Sequence, residues 1–135
     1  INSTTKLLLS NYHEISGLVW KRGEYPDGDI YCWKGNEVHP IGTTDENELW
    51  PRINNQNMIL WRRFGDNGGI FLKNKSRTQQ VARYSYPTSC SYIQIGNGNH
   101  IIWKANDYSS DTCMVYIAQV PDLIGMPWLN LLITQ

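Results

Sequence analysis

The sequence predicts an all-β protein made of three copies of one four-stranded antiparallel unit. The first observation is a repeat: the triplets Leu18-Val19-Trp20, Ile59-Leu60-Trp61 and Ile101-Ile102-Trp103 place their tryptophans 41 and 42 residues apart. The second is turn chemistry, because tetrads 54–57 and 96–99 consist of Asn, Gln and Gly, and Asn and Gly tolerate the positive φ of tight hairpins. The third is that no segment shows the periodicity of a long amphipathic helix.

Each unit is expected to run strand, tight turn, strand, longer loop, strand, short turn, strand, over about 41 residues. The tryptophan triplets form the second strands, and the tetrads join them to the first strands. The remaining strands are expected at 50–53 and 91–95 (first), at 29–33, 69–72 and 114–117 (third), and at 38–41 and 78–82 (fourth). The chain is then one domain with three units, at approximately 5–42, 43–83 and 84–135.

Composition excludes several classes of protein. With 135 residues, 41% of them hydrophobic and 18% charged, the chain has enough apolar side chains for a core and does not resemble a disordered segment. Twelve basic residues balance twelve acidic ones, which argues against a nucleic-acid partner or an anionic membrane surface. The apolar runs are too short to span a bilayer.

The middle unit resembles blades of the TolB-like and WD40-like β-propeller superfamily. The similarity is carried by the segment from Pro51 to Trp61 and by Gly69-Ile70-Phe71-Leu72, and it extends over nearly the whole chain. It implies three propeller blades. The Gly-His and Trp-Asp dipeptides of WD40 repeats are absent, so the resemblance implies no functional residues. The alternative is a β-sandwich in which the tryptophans fall at equal spacing by chance.

Three blades do not make a closed ring, since propellers close with about four to eight blades. Two copies of the chain would supply six, as a head-to-tail homodimer, or the chain is a fragment of a longer protein. The largely apolar segments 6–10 and 128–133 suit strand exchange across such a joint.

The longer loops are expected to meet at one end of the blades and to carry the function. Each offers an aromatic ring and a carboxylate, which suit stacking on a sugar ring and hydrogen bonding to its hydroxyls. The ligand-binding residues expected there are Tyr25, Asp27, Phe64, Asp66, Asp107 and Tyr108. Ordinary solvated loop residues are the alternative. By contrast, Trp20, Trp61 and Trp103 follow two apolar residues each and are expected in the core.

Signals for catalysis, metals and cofactors are absent from the sequence. None of His13, His39 and His100 has a His or Cys partner at metal-ligand spacing, and there is no phosphate loop or nucleophile elbow. Cys90 and Cys113 are expected at the same end of one unit, where a disulfide is conceivable. Two Asn-x-Ser/Thr triplets favour secretion but leave the compartment open.

The sequence therefore predicts a non-catalytic binding module, lectin-like in its use of aromatic loops. A protein–protein interaction scaffold is the first alternative, because propellers commonly provide one. Part of a propeller-type hydrolase is the second, because carboxylates are plentiful on the long loops.

Overall fold

A computed structural model describes residues 6–8, 17–75, 77–120 and 132–134 of the chain, with side chains for 17–75 and 77–120. All regular structure in these residues is β, without a helix, as predicted. The strands are β1 (Lys6–Leu8), β2 (Leu18–Arg22), β3 (Asp29–Lys34), β4 (Glu37–Gly42), β5 (Asn47–Ile53), β6 (Ile59–Phe64), β7 (Gly69–Asn74), β8 (Arg77–Arg83), β9 (Thr88–Ile95), β10 (His100–Asp107), β11 (Thr112–Gln119) and β12 (Leu132–Thr134).

The strands form three four-stranded sheets, each pairing its strands antiparallel in chain order. The first sheet contains β1 to β4, the middle sheet β5 to β8 and the third sheet β9 to β12. Parts of the predicted end strands form β1 and β12. Other residues of the sequence predictions lie outside the described residues: 9–10, His13 and 128–131.

Each tryptophan of the repeat lies on the second strand of its own sheet. Each is paired with an aromatic residue of the third strand: Trp20 with Tyr31, Trp61 with Phe71 and Trp103 with Tyr116. The rings stack at centroid distances of 6.1, 5.8 and 5.5 Å with interplanar angles of 23°, 23° and 11°. Such cross-strand pairs are a main stabilising unit of antiparallel sheets. The sequence repeat therefore corresponds to a repeated cross-strand pairing of aromatic residues.

The middle sheet is buried on both faces. One face carries Trp61 and Phe71, which share a core cluster with Val19 and Ile30 of the first sheet. The opposite face carries Leu60, Ile70 and Leu72, which share a second cluster with Ile101 and Trp103 of the third sheet. Burial on both faces explains why Gly69–Asn74 begins as a continuous apolar run without the alternation of a half-exposed strand.

The same sheet-to-sheet contact therefore occurs twice. In each contact, the later sheet uses the face that carries its repeat tryptophan. The earlier sheet uses its opposite face, which carries the residue just before its own tryptophan. In the first contact Trp61 meets the Val19 face, and in the second Trp103 meets the Leu60 face. Trp61 and Trp103 are fully buried, whereas Trp20 is only half-buried, because no sheet precedes its own among the described residues.

Bulges and turns repeat as well. Trp50 and Tyr92, 42 residues apart, both adopt positive φ (55° and 51°) in the first strands of their sheets, where the register shifts. Asn57 and Asn99, also 42 apart, have φ of 60° and 62° in the predicted tight turns. The two turns touch, since the Asn54 side-chain amide donates to the Gly96 carbonyl at 3.1 Å. Repeated special conformations at one spacing indicate one structural unit used more than once.

The described part of the chain contains no helix that is long and apolar enough to cross a membrane.

Candidate functional site

The longer loops lie together at one end of the sheets, because successive connections in an antiparallel sheet alternate between its two ends. At this end, called the long-loop end, are loops 23–28, 65–68 and 108–111 and the sheet connections 43–46 and 84–87. The strands run further than the sequence indicated, since Phe64 and Asp107 are the last residues of β6 and β10. The backbone of these two residues is therefore held by strand hydrogen bonds, which position it more firmly than a free loop would.

The larger cavity at the long-loop end lies between the middle and third sheets and has a volume of about 480 Å³. Its lining combines aromatic rings, two guanidinium groups and hydroxyls. The lining residues are Arg62, Arg63, Phe64, Gly65, Asp66, Tyr84, Ser85, Tyr86, Thr88, Ser89 and Tyr108. The volume falls within the range of small-molecule sites, about 300–1,000 Å³.

A smaller depression of about 270 Å³ adjoins this cavity. Tyr25 and Phe64 meet there edge to face, with ring centroids 6.2 Å apart. Asp45 and Glu46 contribute carboxylates to its wall. Phe64 and Asp66 line both spaces, so they form the ridge between them.

The structure brings four of the six predicted ligand-binding residues to these two spaces: Tyr25, Phe64, Asp66 and Tyr108. The other two, Asp27 and Asp107, do not line either space. Asp27 belongs to a turn in which its backbone N–H donates to the Glu24 carbonyl at 2.7 Å. The prediction for these two aspartates rested on their position in the loops, but loop residues of this type often stabilise the turn itself.

Asp107 shows such a turn role directly. Its carboxylate accepts hydrogen bonds from the Ser109 backbone N–H at 2.9 Å and from the Ser109 hydroxyl at 2.6 Å. The Ser109 hydroxyl and backbone N–H hold the pKa of the Asp107 carboxyl below its ordinary value, because they favour the ionised form. The carboxylate thus closes its own loop instead of facing the cavity.

Hydrogen bonds to core and neighbouring residues orient the side chains that form the wall of the larger cavity. The Tyr84 hydroxyl accepts a hydrogen bond from Trp103 Nε1 at 2.7 Å, and burial raises the pKa of Tyr84 to about 12. Arg62 donates through Nη2 to the Ser89 hydroxyl at 2.9 Å, and its guanidinium lies over the rings of Phe64 and Trp50 at 5.3 and 5.0 Å. These contacts orient the lining before any ligand arrives.

Glu48 is fully buried beneath the long-loop end. Its carboxylate accepts hydrogen bonds from Trp61 Nε1 at 2.6 Å, Arg63 Nε at 2.7 Å and the Thr44 hydroxyl at 2.8 Å. Arg63 also lies over the Phe71 ring at 4.0 Å. The buried carboxylate therefore connects the core tryptophan to a guanidinium that reaches the cavity.

Arg62 and Arg63 line the larger cavity but were not among the residues expected from the sequence. Two neighbouring residues of a strand point to opposite faces, so both reach one cavity only because they lie near the end of β6, where the cavity opens. Their signal in the sequence was their closeness to the predicted loop.

The sequence allowed a disulfide between Cys90 and Cys113, but this disulfide does not form, since both cysteines are free. The strand β10 lies between them, pairing Ala105 with Cys90 and Asn106 with Cys113. Two strand spacings amount to about 10 Å, well beyond the span of a disulfide. Cys90 is buried, which raises its pKa to about 11, while Cys113 is exposed.

Within the described ranges, no group of three or more His, Cys, Asp or Glu side chains is arranged to hold a metal ion. Comparisons with protein families, curated proteins and solved structures found no match to this chain.

Proposed function

We propose that this chain is a non-catalytic binding module that holds a carbohydrate in the cavity at the long-loop end. The observation that carries the proposal is the convergence of three exposed rings, Phe64, Tyr86 and Tyr108, on one cavity of about 480 Å³. The faces of pyranose rings are rich in C–H groups, which pack well on aromatic rings. Asp66 and Arg62 supply the acceptor and the donor that sugar hydroxyls require.

The same lining favours binding over hydrolysis. Glycoside hydrolysis ordinarily needs two carboxyl groups that flank the scissile bond. Among the described residues that line the larger cavity, Asp66 is the only one with a carboxylate. Asp45 and Glu46 lie in the adjoining depression, beyond the ridge formed by Phe64 and Asp66.

Removing a ring from the cavity is expected to weaken sugar binding by about 1–3 kcal/mol, as is common for interface aromatics. Phe64→Ala and Tyr108→Ala each remove a stacking platform, and Tyr25→Ala tests whether the ligand extends into the smaller depression. A glycan array identifies a sugar, and calorimetric titration of each variant with that sugar measures the affinity. His39→Ala, at the opposite end of the molecule, is the control and should bind normally.

Two results would oppose this proposal. If the array returns no sugar, the binding class is wrong. If the Phe64 and Tyr108 variants bind normally while Asn54→Ala or Asn97→Ala loses affinity, the ligand binds at the tight turns.

We also propose that the three sheets are successive β-propeller blades and that a second copy of the chain completes a six-bladed ring. The support is the contact that occurs twice inside the chain. In both contacts, the tryptophan face of one sheet packs on the opposite face of the sheet before it. Among the described residues, one tryptophan face and one opposite face are left without a partner sheet. The third sheet presents Ile102, Val115 and Ile117, all exposed, in the positions that face a following sheet. The first sheet presents the face of Trp20 and Tyr31.

Light scattering is expected to give a mass of about twice 15.6 kDa, because each unused face meets its counterpart on the other copy. Ile117→Glu places a charge in the joint and should yield monomers. Tyr86→Glu puts the same charge on an exposed residue of the long-loop end and should leave the dimer intact. A monomeric parent protein that unfolds cooperatively would rule out the six-bladed dimer.

A further inference from the structure

A third cavity, of about 330 Å³, lies between the first and middle sheets at the end that carries the tight turns. It shares no lining residue with the two spaces at the long-loop end. Its apolar floor consists of Cys32, Ile41, Ile53 and Ile59. Its rim carries four basic side chains, Lys34, His39, Lys73 and Lys75.

Differences between equivalent residues of the two sheet contacts account for this cavity. Cys32 follows the aromatic partner of Trp20, and Leu72 follows that of Trp61, so Leu72 is the counterpart of Cys32 in the contact between the middle and third sheets. Leu72 is fully buried there. A thiol is smaller than an isobutyl group, which leaves space in the first contact.

Two lysines of the rim, Lys73 and Lys75, also occupy positions that are apolar in the other contact. Lys73 pairs with Ile59, and Ala118 pairs with the equivalent Ile101. Lys75 and Val120 follow two residues later in each sheet. Ala118 and Val120 are buried, at 2% and 1% exposure. One contact is thus closed with small apolar side chains, and the other is open and basic.

Within the described part of the chain, the three lysines of the rim have no compensating charge. Lys34, Lys73 and Lys75 form no ion pair with any described residue, and no carboxylate is among the described lining residues. Among the described residues, the Glu37 carboxylate lies 3.7 Å from His39 Nε2, and both side chains are exposed. Burial is the largest influence on the pKa of the Cys32 thiol and raises it, while Lys73 and Lys34 oppose that rise, so the floor lies within reach of their positive charge.

We infer that this cavity binds a small organic monocarboxylate with an apolar body. Its apolar part would lie on Cys32, Ile41, Ile53 and Ile59, and its carboxylate would meet the lysines of the rim. An apolar floor with few polar groups to orient the ligand is the usual composition of a small-molecule site. An inorganic anion would leave the floor unused, and a neutral ligand would leave the lysines uncompensated.

Octanoate is the probe for a calorimetric titration of the native protein, with octanol and inorganic phosphate as the two comparison ligands. Octanoate is expected to bind at least tenfold more tightly than either. Lys73→Gln combined with Lys75→Gln should weaken octanoate binding at least tenfold and increase the relative preference for octanol. Cys32→Leu, which copies Leu72, should fill the cavity and abolish octanoate binding in a folded protein. Tyr108→Ala, at the long-loop end, should leave octanoate binding unchanged.

Protection of Cys32 supplies a second measurement. Octanoate should slow alkylation of Cys32 by a maleimide while leaving the exposed Cys113 unprotected, as followed by mass spectrometry of peptides. Equal binding of phosphate or of octanol would overturn the inference, and so would octanoate binding that survives Cys32→Leu or the double lysine variant. These outcomes are independent of the sugar titrations, because the variants lie at opposite ends of the sheets.

Discussion

Replacing Trp61 with alanine is expected to lower the free energy of unfolding by about 3–5 kcal/mol, the usual cost of truncating a buried large aromatic residue. Trp61 is fully buried between the first and middle sheets, where it stacks on Phe71. The substitution opens a cavity in this contact and deprives the Glu48 carboxylate of its hydrogen bond from Nε1. Denaturant unfolding followed by circular dichroism measures the loss.

The matched control is Tyr25→Ala, which truncates an aromatic side chain that is 69% exposed. Its main ring contact is with Phe64 at the surface, so a loss of no more than about 1 kcal/mol is expected. Equal losses for the two variants would contradict the assignment of Trp61 to the core.

Removing the carboxylate of Glu48 is expected to have an effect of similar size. Glu48→Ala removes the closer carboxylate from the Arg63 guanidinium, at 2.7 Å, and leaves only Glu46 at 4.0 Å. It also leaves Trp61 Nε1 and the Thr44 hydroxyl without this acceptor. Breaking a buried ion pair by deleting one partner costs about 3–5 kcal/mol, because the other charge remains. Equilibrium unfolding in urea provides the measurement.

Two further variants separate charge from packing at this position. Glu48→Gln keeps the shape and one acceptor oxygen but presents an amide NH₂ to donor groups, so an intermediate loss is expected. Glu37→Ala removes an exposed carboxylate near His39 and should cost less than about 0.5 kcal/mol. A loss for Glu48→Ala as small as that for Glu37→Ala would mean that the buried network contributes little to stability.

For the candidate site, the sequence could predict which end of the molecule carries it and several of its aromatic rings. It could not predict which loop residues line a cavity and which stabilise their own turn. Tyr25, Phe64, Asp66 and Tyr108 line the spaces at the long-loop end, while Asp107 turns back to bind Ser109. A loop aspartate that caps its own turn and one that faces a cavity have the same sequence context. The difference arises from the path of the loop backbone, which depends on neighbouring loops from other sheets.

By itself, the sequence determined the strands, the turns and the repeat. These depend on local chemistry: aromatic and β-branched residues favour extended backbone, and Asn57 and Asn99 tolerate the positive φ of the tight turns. Because the same local signals recur after 41 or 42 residues, the equivalence of Trp20, Trp61 and Trp103 was evident without coordinates.

Only the tertiary structure decided which faces meet and what they enclose. It places β10 between Cys90 and Cys113 and buries Glu48 beneath the long loops. It also opens a basic cavity in one sheet contact, where Cys32 and Lys73 stand in place of the larger Leu72 and the apolar Ala118 of the other contact. The physical reason is that burial of a side chain depends on residues far away in the chain. A strand alternates its side chains between two faces, but the packing of one sheet on another determines what each face contacts.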